Sequence, residues 1–215
     1  MILFGIRSPL VVDYEETLAR CGITLTAAVS ISGSPRLFDR RVLVDLEDFI
    51  PPPGAPFLAP AFAPMRRREL CEQATALGLA PASALVDPTA VVPRNLRLGA
   101  GTFVNAGVVI GGLSILGEGV LVNRSASLGH HCVLADFVSI GPGAVLAGNI
   151  HVGAGSVIGA GAVVLPNIRI GAGAIVSAGA VVRKHVADGT LVIGNPAQPH
   201  RFNPLKSSLA VEDGE

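Results

Sequence analysis

From residue 86 onward an aliphatic side chain returns at every sixth position: Val86, Val92, Leu98, Val104, Ile110, Leu116, Val122, Leu128, Leu134, Ile140, Leu146, Val152, Ile158, Val164, Ile170, Val176 and Val182. All seventeen are Leu, Ile or Val, and chance does not sustain such a run when aliphatics fill about a quarter to a third of positions. Gly, Asn or Ala commonly follows, as at Gly99, Asn105, Gly111, Asn123, Gly129, Gly141 and Gly153, and these residues suit corners. Two positions before the aliphatic residue the side chain is often small: Thr102, Ser114, Ala126, Cys132, Ala144, Ser156, Ala162, Ala174 and Ala180. The pattern predicts short strands with a turn in every hexad and a crowded interior.

No helix has a period of six, and strands this short bury no core alone. They must stack. Three hexads close a triangular coil, successive coils pair as parallel strands at about 4.8 Å, and roughly five to six coils make a prism about 25–30 Å long. The spacing predicts a parallel β-helix over residues 84–186, followed by a closing segment, 187–215, whose end is expected to be disordered. Residues 1–83 read differently. A strand at 2–6, a helix at 10–20 ending at Gly22, a strand at 23–32, a further strand at 55–62 and a helix at 64–77 stopped by Gly78 give a small, half-Rossmann-like α/β domain.

Composition narrows the function. Half of the residues are apolar and 15% are charged, which excludes a disordered chain. Sixteen basic residues balance sixteen acidic ones, so no net field draws nucleic acid or an anionic membrane. No apolar run approaches the roughly 18–20 residues of a spanning helix, and Met1 leads into Ile-Leu-Phe-Gly without a basic leader, which points to the cytoplasm. Cys21, Cys71 and Cys132 are odd in number and irregularly spaced, unlike a disulfide framework or zinc knuckle. Between Val86 and Val182 only seven residues are charged. With Val109, Leu113, Leu121 and Val145 off the inward column, the flat sides are expected to be covered by other copies of the chain, as a trimer.

Candidate chemistry centres on two of five histidines. Stacking at eighteen residues places His130 in a column between Gly112 and Gly148, a slot without neighbouring side chains, and places His131 between Leu113 and Asn149. An imidazole there suits a general base, and a glycine N–H can approach a carbonyl closely. The same residues also fit a plain reading in which Asn residues form corners and the histidines cap an outer face. Gly5-Ile6-Arg7-Ser8-Pro9, after the first strand, is either a phosphate-binding turn, through Arg7 and Ser8, or an ordinary loop. Arg66-Arg67-Arg68 reads as a solvated helix face more readily than as a phosphate clamp. Cys132, at a small inward position, reads as core.

Four stretches together resemble the PglD/NeuD-type sugar acetyltransferases of the left-handed β-helix hexapeptide transferase family: Val122-Asn-Arg-Ser-Ala-Ser-Leu-Gly-His-His-Cys-Val133, Ile140-Gly-Pro-Gly-Ala-Val-Leu-Ala-Gly-Asn149, Ile158-Gly-Ala-Gly-Ala-Val-Val-Leu-Pro166 and Ile193-Gly-Asn-Pro-Ala197. The likeness covers nearly the whole chain. It implies a left-handed coil, a homotrimer with active sites between subunits, and acetyl transfer from acetyl-CoA, without a metal, to an amine or hydroxyl of an activated amino sugar. By the same resemblance His130 is the base and His131 its catalytic neighbour. Gly148 offers a backbone N–H to the thioester oxygen, Ala160, Gly161, Ala178 and Gly179 line the pantetheine arm, and Asn123 lies near the acceptor, with Ser139 and the turn residues Gly5, Arg7 and Ser8 as further substrate-binding candidates. Three positions depart from the family. His131 replaces the usual carboxylate, Ser139 replaces a second histidine, and the first turn lacks the family's glycines and histidine. The competing classes are a non-catalytic scaffold, an acyltransferase with an acceptor other than a nucleotide sugar, and a zinc enzyme resembling the γ-type carbonic anhydrases, for which His130 or His131 with His151 would be the ligands.

Overall fold

The computed structural model describes residues 1–31, 37 and 39–200, so the expected disorder at the extreme C-terminus lies outside the described residues. The chain forms a left-handed parallel β-helix behind an α/β layer. Three parallel sheets wrap one interior, and each coil pairs with the next at a step of eighteen residues, as in Leu116 with Leu134, Leu128 with Leu146 and Ile140 with Ile158. Two side chains per hexad fill the prism. Leu116, Leu128, Leu134 and Ile140 are buried, and so are the small Ser114, Ala126, Cys132 and Ala144 two residues before a column position. Val92 departs from the pattern. It lies on the first coil, where no earlier coil covers it, and is 39% exposed. At the other end the final coil is two residues short, with Ile170 bridged to Val186 and Val176 paired with Val192. Leu191–Ile193 then turns back antiparallel against Gln198–His200.

The corners explain the Gly and Asn enrichment. Leu113, Ser125, His131, Phe137, Asn149 and Asn167 all hold φ between 57° and 62°, a left-handed conformation that Asn tolerates and most residues avoid.

In the N-terminal layer the strands are β1 (Ile2–Phe4), β2 (Ala27–Ser30), β3 (Leu43–Asp45), β4 (Pro56–Leu58) and β5 (Ala80–Pro81), with helices α1 (Val11–Arg20) and α2 (Pro64–Ala76). All five strands are parallel, in the order β3-β2-β1-β4-β5. The sequence pattern overextends β1, β2 and β4. It misses β3 and β5, which are too short to show alternation. Pro64 opens α2 at the position where its missing N–H costs nothing, and Gly78 leaves the helix at φ 86°.

This layer lies on one face of the prism. Leu3, Ile6, Val11, Tyr14 and Leu18 pack with Leu85, Phe103 and Leu121, and the Tyr14 and Phe103 rings stand 3.9 Å apart. Leu121 is therefore covered by its own chain rather than by another copy, whereas Val109, Leu113 and Val145 remain exposed. Two polar joints fix the contact. Asp87, buried at the first coil, accepts hydrogen bonds from the Thr17 hydroxyl (2.8 Å), Arg20 Nε (2.8 Å), and the Thr89 N–H (2.9 Å) and hydroxyl (2.6 Å). Desolvation opposes its charge, but these donors outweigh it and hold the carboxyl down at about 2. Arg67 is 1% exposed and has no carboxylate partner among the described residues. Its Nε donates to Gly119 O (2.7 Å), Nη1 to Ala61 O (2.6 Å) and Phe62 O (2.9 Å), and Nη2 to Phe137 O, Val138 O and Ser139 Oγ. Burial lowers its pKa to about 10, so it stays cationic at neutral pH.

Replacing Arg67 by Met strands several buried carbonyls, and the expected loss is about 3 kcal/mol or more, read as a lower denaturant midpoint. The stabilisation from Asp87 is complete above the ordinary carboxyl range of about 4 and is lost as pH falls toward about 2. An Asp87→Asn variant should be less stable at neutral pH and should lose less of its remaining stability across that acidic window in acid-titrated unfolding.

Candidate active site

Strand β1 ends at Gly5, whose φ is 80°. A Cβ there would run into the Leu70 side chain of α2, so glycine lets the helix approach the turn. Beyond it, Gly5, Arg7, Ser8 and Pro9 face Ala61, Phe62, Ala63 and Arg66 across a cavity of about 560 Å³. The strand order changes direction between β1 and β4, and open α/β sheets bind ligands at the carboxyl ends of strands at such a point. Arg7 is exposed, and Arg66 is half-exposed with an ion pair to Glu69 at 3.1 Å. Two guanidinium groups thus reach the cavity, one from the turn after β1 and one from the first turn of α2. Of the arginine run, Arg66 lines the cavity, Arg67 is the buried joint and Arg68 stacks on Phe137 at 4.6 Å.

A second cavity of about 430 Å³ shares Pro9 and Phe62 with the first and runs down to the prism edge at Asn123, Pro142 and Ala160. Asn123 Oδ1 accepts from Asn105 Nδ2 (2.9 Å) and from the Arg124 N–H (2.8 Å). These bonds fix the amide, and among the described residues no acceptor meets its Nδ2. Asp13 of α1 accepts from Asn105 (3.1 Å) and pairs with Arg124 (3.3 Å) at the same wall. Sequence pattern gave no signal for Asp13 or Phe62. Arg124 and Arg66 stood inside runs already singled out, without a mark of their own.

The next edge of the prism carries the histidines. The His130 imidazole lies over Gly148 on the following coil. A Cβ on Gly148 would stand 2.6 Å from its Cε1 and 2.7 Å from its Nε2, while a Cβ on Gly112 would meet nothing. The expected slot is thus filled by the ring on one side and open on the other. Nδ1 of His130 is 2.9 Å from Nδ1 of His131, with the rings at 89°. Among the described residues no acceptor meets the N–H of Gly148, Ala160 or Ala178.

The predicted residues fall into separate groups. Asn123, Ala160, Gly161, Ala178 and Gly179 share one edge, continuous with the cavity of Gly5, Arg7 and Ser8, whereas His130, His131 and Gly148 share the next edge of the same prism. Ser139 belongs to neither. It is fully buried, donates to Phe62 O (2.6 Å) and accepts from Arg67 (2.9 Å), so it ties the two layers together and is not available to a substrate. Cys132 is likewise buried, and burial raises its thiol pKa, which disfavours a nucleophilic thiolate. No group of three His, Cys, Asp or Glu side chains among the described residues could hold a metal ion, and no helix there is long and apolar enough to cross a membrane.

Residues 149–184 match the bacterial transferase hexapeptide (six repeats) family. No curated protein sequence matches the chain. Solved structures do. The perosamine N-acetyltransferase of Caulobacter crescentus, in a single-histidine variant with CoA and GDP-perosamine, is 28% identical with a TM-score of 0.82, over 94% of this chain and 96% of that one. The acetyltransferase domain of PglB from Neisseria gonorrhoeae, in complex with acetyl coenzyme A, is 30% identical with a TM-score of 0.78, over 93% and 98%. WeeI from Acinetobacter baumannii is 26% identical with a TM-score of 0.76, over 93% and 98%.

The contact between His130 and Gly148 gives a direct test. Gly148 has no positive φ, so Ala fits the backbone but its methyl group must displace the imidazole. Gly148→Ala should keep the circular dichroism and thermal midpoint of the wild type while shifting the His130 imidazole resonances. Unchanged resonances would contradict the packing described.

Proposed function

Because the chain belongs to the sugar N-acetyltransferases of the left-handed β-helix hexapeptide family and is a CoA-dependent N-acetyltransferase, we propose that it acetylates the amine of a nucleotide-linked amino sugar, with His130 as general base. The observation that carries this reading is the His130 ring seated over Gly148, whose backbone N–H meets no acceptor among the described residues. Nε2 takes a proton from the acceptor amine as its nitrogen attacks the thioester carbonyl carbon. The Gly148 N–H holds the oxygen that gains negative charge. When the C–S bond breaks, the proton on His130 passes to the departing CoA sulfur, which leaves the base as it began.

Binding follows the two joined cavities. Arg7, Ser8 and Arg66 meet the diphosphate at the end of β1, and the turn at Gly5 admits it closely. The sugar extends past Phe62 to Asn123, whose oriented amide donates to the acceptor. The pantetheine arm runs along Ala160, Gly161, Ala178 and Gly179, where small side chains leave room for an amide chain and the N–H groups of Ala160 and Ala178 have no acceptor among the described residues. His130 lies on a different prism edge from this groove, so the site is completed by a second copy of the chain. The exposed Val109, Leu113 and Val145 supply apolar surface for that contact, and a homotrimer places one groove against one histidine edge three times. Three free cysteines suit the reducing cytoplasm.

His130→Ala should lower kcat by about 10²–10⁴ while acetyl-CoA binding and the trimer persist. Calorimetry with acetyl-CoA, kinetics with GDP-, UDP- and dTDP-linked amino sugars, and sedimentation mass together check this. Full turnover by the variant would refute His130 as the base. Turnover only with free amines would move the acceptor outside nucleotide sugars.

A further inference from the structure

A general base of this kind needs its remote nitrogen held by a partner that fixes the tautomer, and the position that supplies a carboxylate in similar sequences is His131 here. We infer that His131 is the positioning residue for His130, accepting the His130 Nδ1–H on its own Nδ1 so that His130 Nε2 is left bare to receive the acceptor's proton. This inference rests on the acyl-transfer reading above and supplies the partner that reading lacks.

Two observations carry it. The two Nδ1 atoms are 2.9 Å apart, the distance of an N–H to N hydrogen bond, and between neutral imidazoles one must donate and the other accept. The rings are perpendicular at 89° with centroids 5.1 Å apart, an edge-on approach in which the two Nδ1 atoms face each other. His131 holds φ 58°, a left-handed state that His, Asn and Asp enter more readily than other side chains. The preceding coil puts Leu113 at the equivalent corner at φ 61°, and the two following coils put Asn149 and Asn167 there at φ 61° and 62°, with Asn149 Nδ2 donating to Asn167 Oδ1 at 2.8 Å.

The direction of the bond decides its use. With the proton on His130 Nδ1, Nε2 is a lone pair above Gly148. With the proton on His131 Nδ1, His130 carries its hydrogen on Nε2 and cannot act as a base. When Nε2 takes the amine proton, the Nδ1–H to His131 becomes charge-assisted and steadies the imidazolium until the CoA sulfur removes that proton. No redox partner or further reactant is needed.

His131→Asn keeps a residue suited to the left-handed corner and removes the imidazole acceptor. It should lower kcat by about 10- to 100-fold with little change in KM for acetyl-CoA. His131→Asp, which restores an anionic acceptor, should recover turnover well above His131→Asn. It should also move the acid limb of kcat/KM to higher pH than in the wild type, because an adjacent carboxylate favours the imidazolium. Nitrogen-15 imidazole spectra supply a readout independent of turnover: His130 should be the Nδ1–H tautomer in the wild type and lose that preference in His131→Asn. Wild-type kcat and pH profile in His131→Asn, or an Nε2–H tautomer for His130 in the wild type, would overturn the proposal. An Nδ1–H tautomer in a protein that acetylates no amine would instead overturn the acyl-transfer reading on which it rests.

Discussion

Until the short final coil, the strands of successive coils pair at a step of one full turn of eighteen residues, and with two residues per strand there is no slack to absorb an error. One inserted residue would turn inward aliphatic side chains outward on every later coil. The same constraint assembles the chemistry. His130 lies over Gly148 because one coil separates them, and the Gly at 148 is what admits an imidazole against the backbone. Asn105 reaches Asn123 for the same reason. Packing and function thus draw on a single spacing, and the outer face gains special residues only where the interior column leaves them free.

The second constraint is the mating of the α/β layer with the prism. Burying a guanidinium without an anion is costly, and Arg67 is tolerated because backbone carbonyls from the Ala61–Phe62 loop and from two corners converge on it, together with Ser139. That loop also walls both cavities. The residue that holds the two layers together therefore fixes the shape of the groove. Tyr14 against Phe103, and Thr17 with Arg20 on Asp87, secure the other helix.

Much of this was legible in the chain. The hexad column, the inward small residues and the family resemblance follow from spacing and motif, because a repeated unit writes its contacts at a fixed offset. The short strands β3 and β5 were not legible, since two or three residues carry no alternation. Val92 was misjudged because periodicity says nothing about which coil comes first. Arg67 and Ser139 were misjudged for a deeper reason: an arginine run reads as solvated, and only the docking of α2 on a prism face reveals that one member points inward. Asp13 and Phe62 reach the groove by the same docking, which no local pattern encodes.

The central claim is that a groove on one prism edge is completed by a histidine edge from another copy. Co-assembly of two inactive variants, His130→Ala and Asn123→Ala, tests it most directly. If the site is shared, an equal mixture should regain about a quarter of wild-type turnover, from those contacts where an intact His130 edge meets an intact Asn123 edge. Mixed assemblies that form but remain as inactive as either parent would contradict the account.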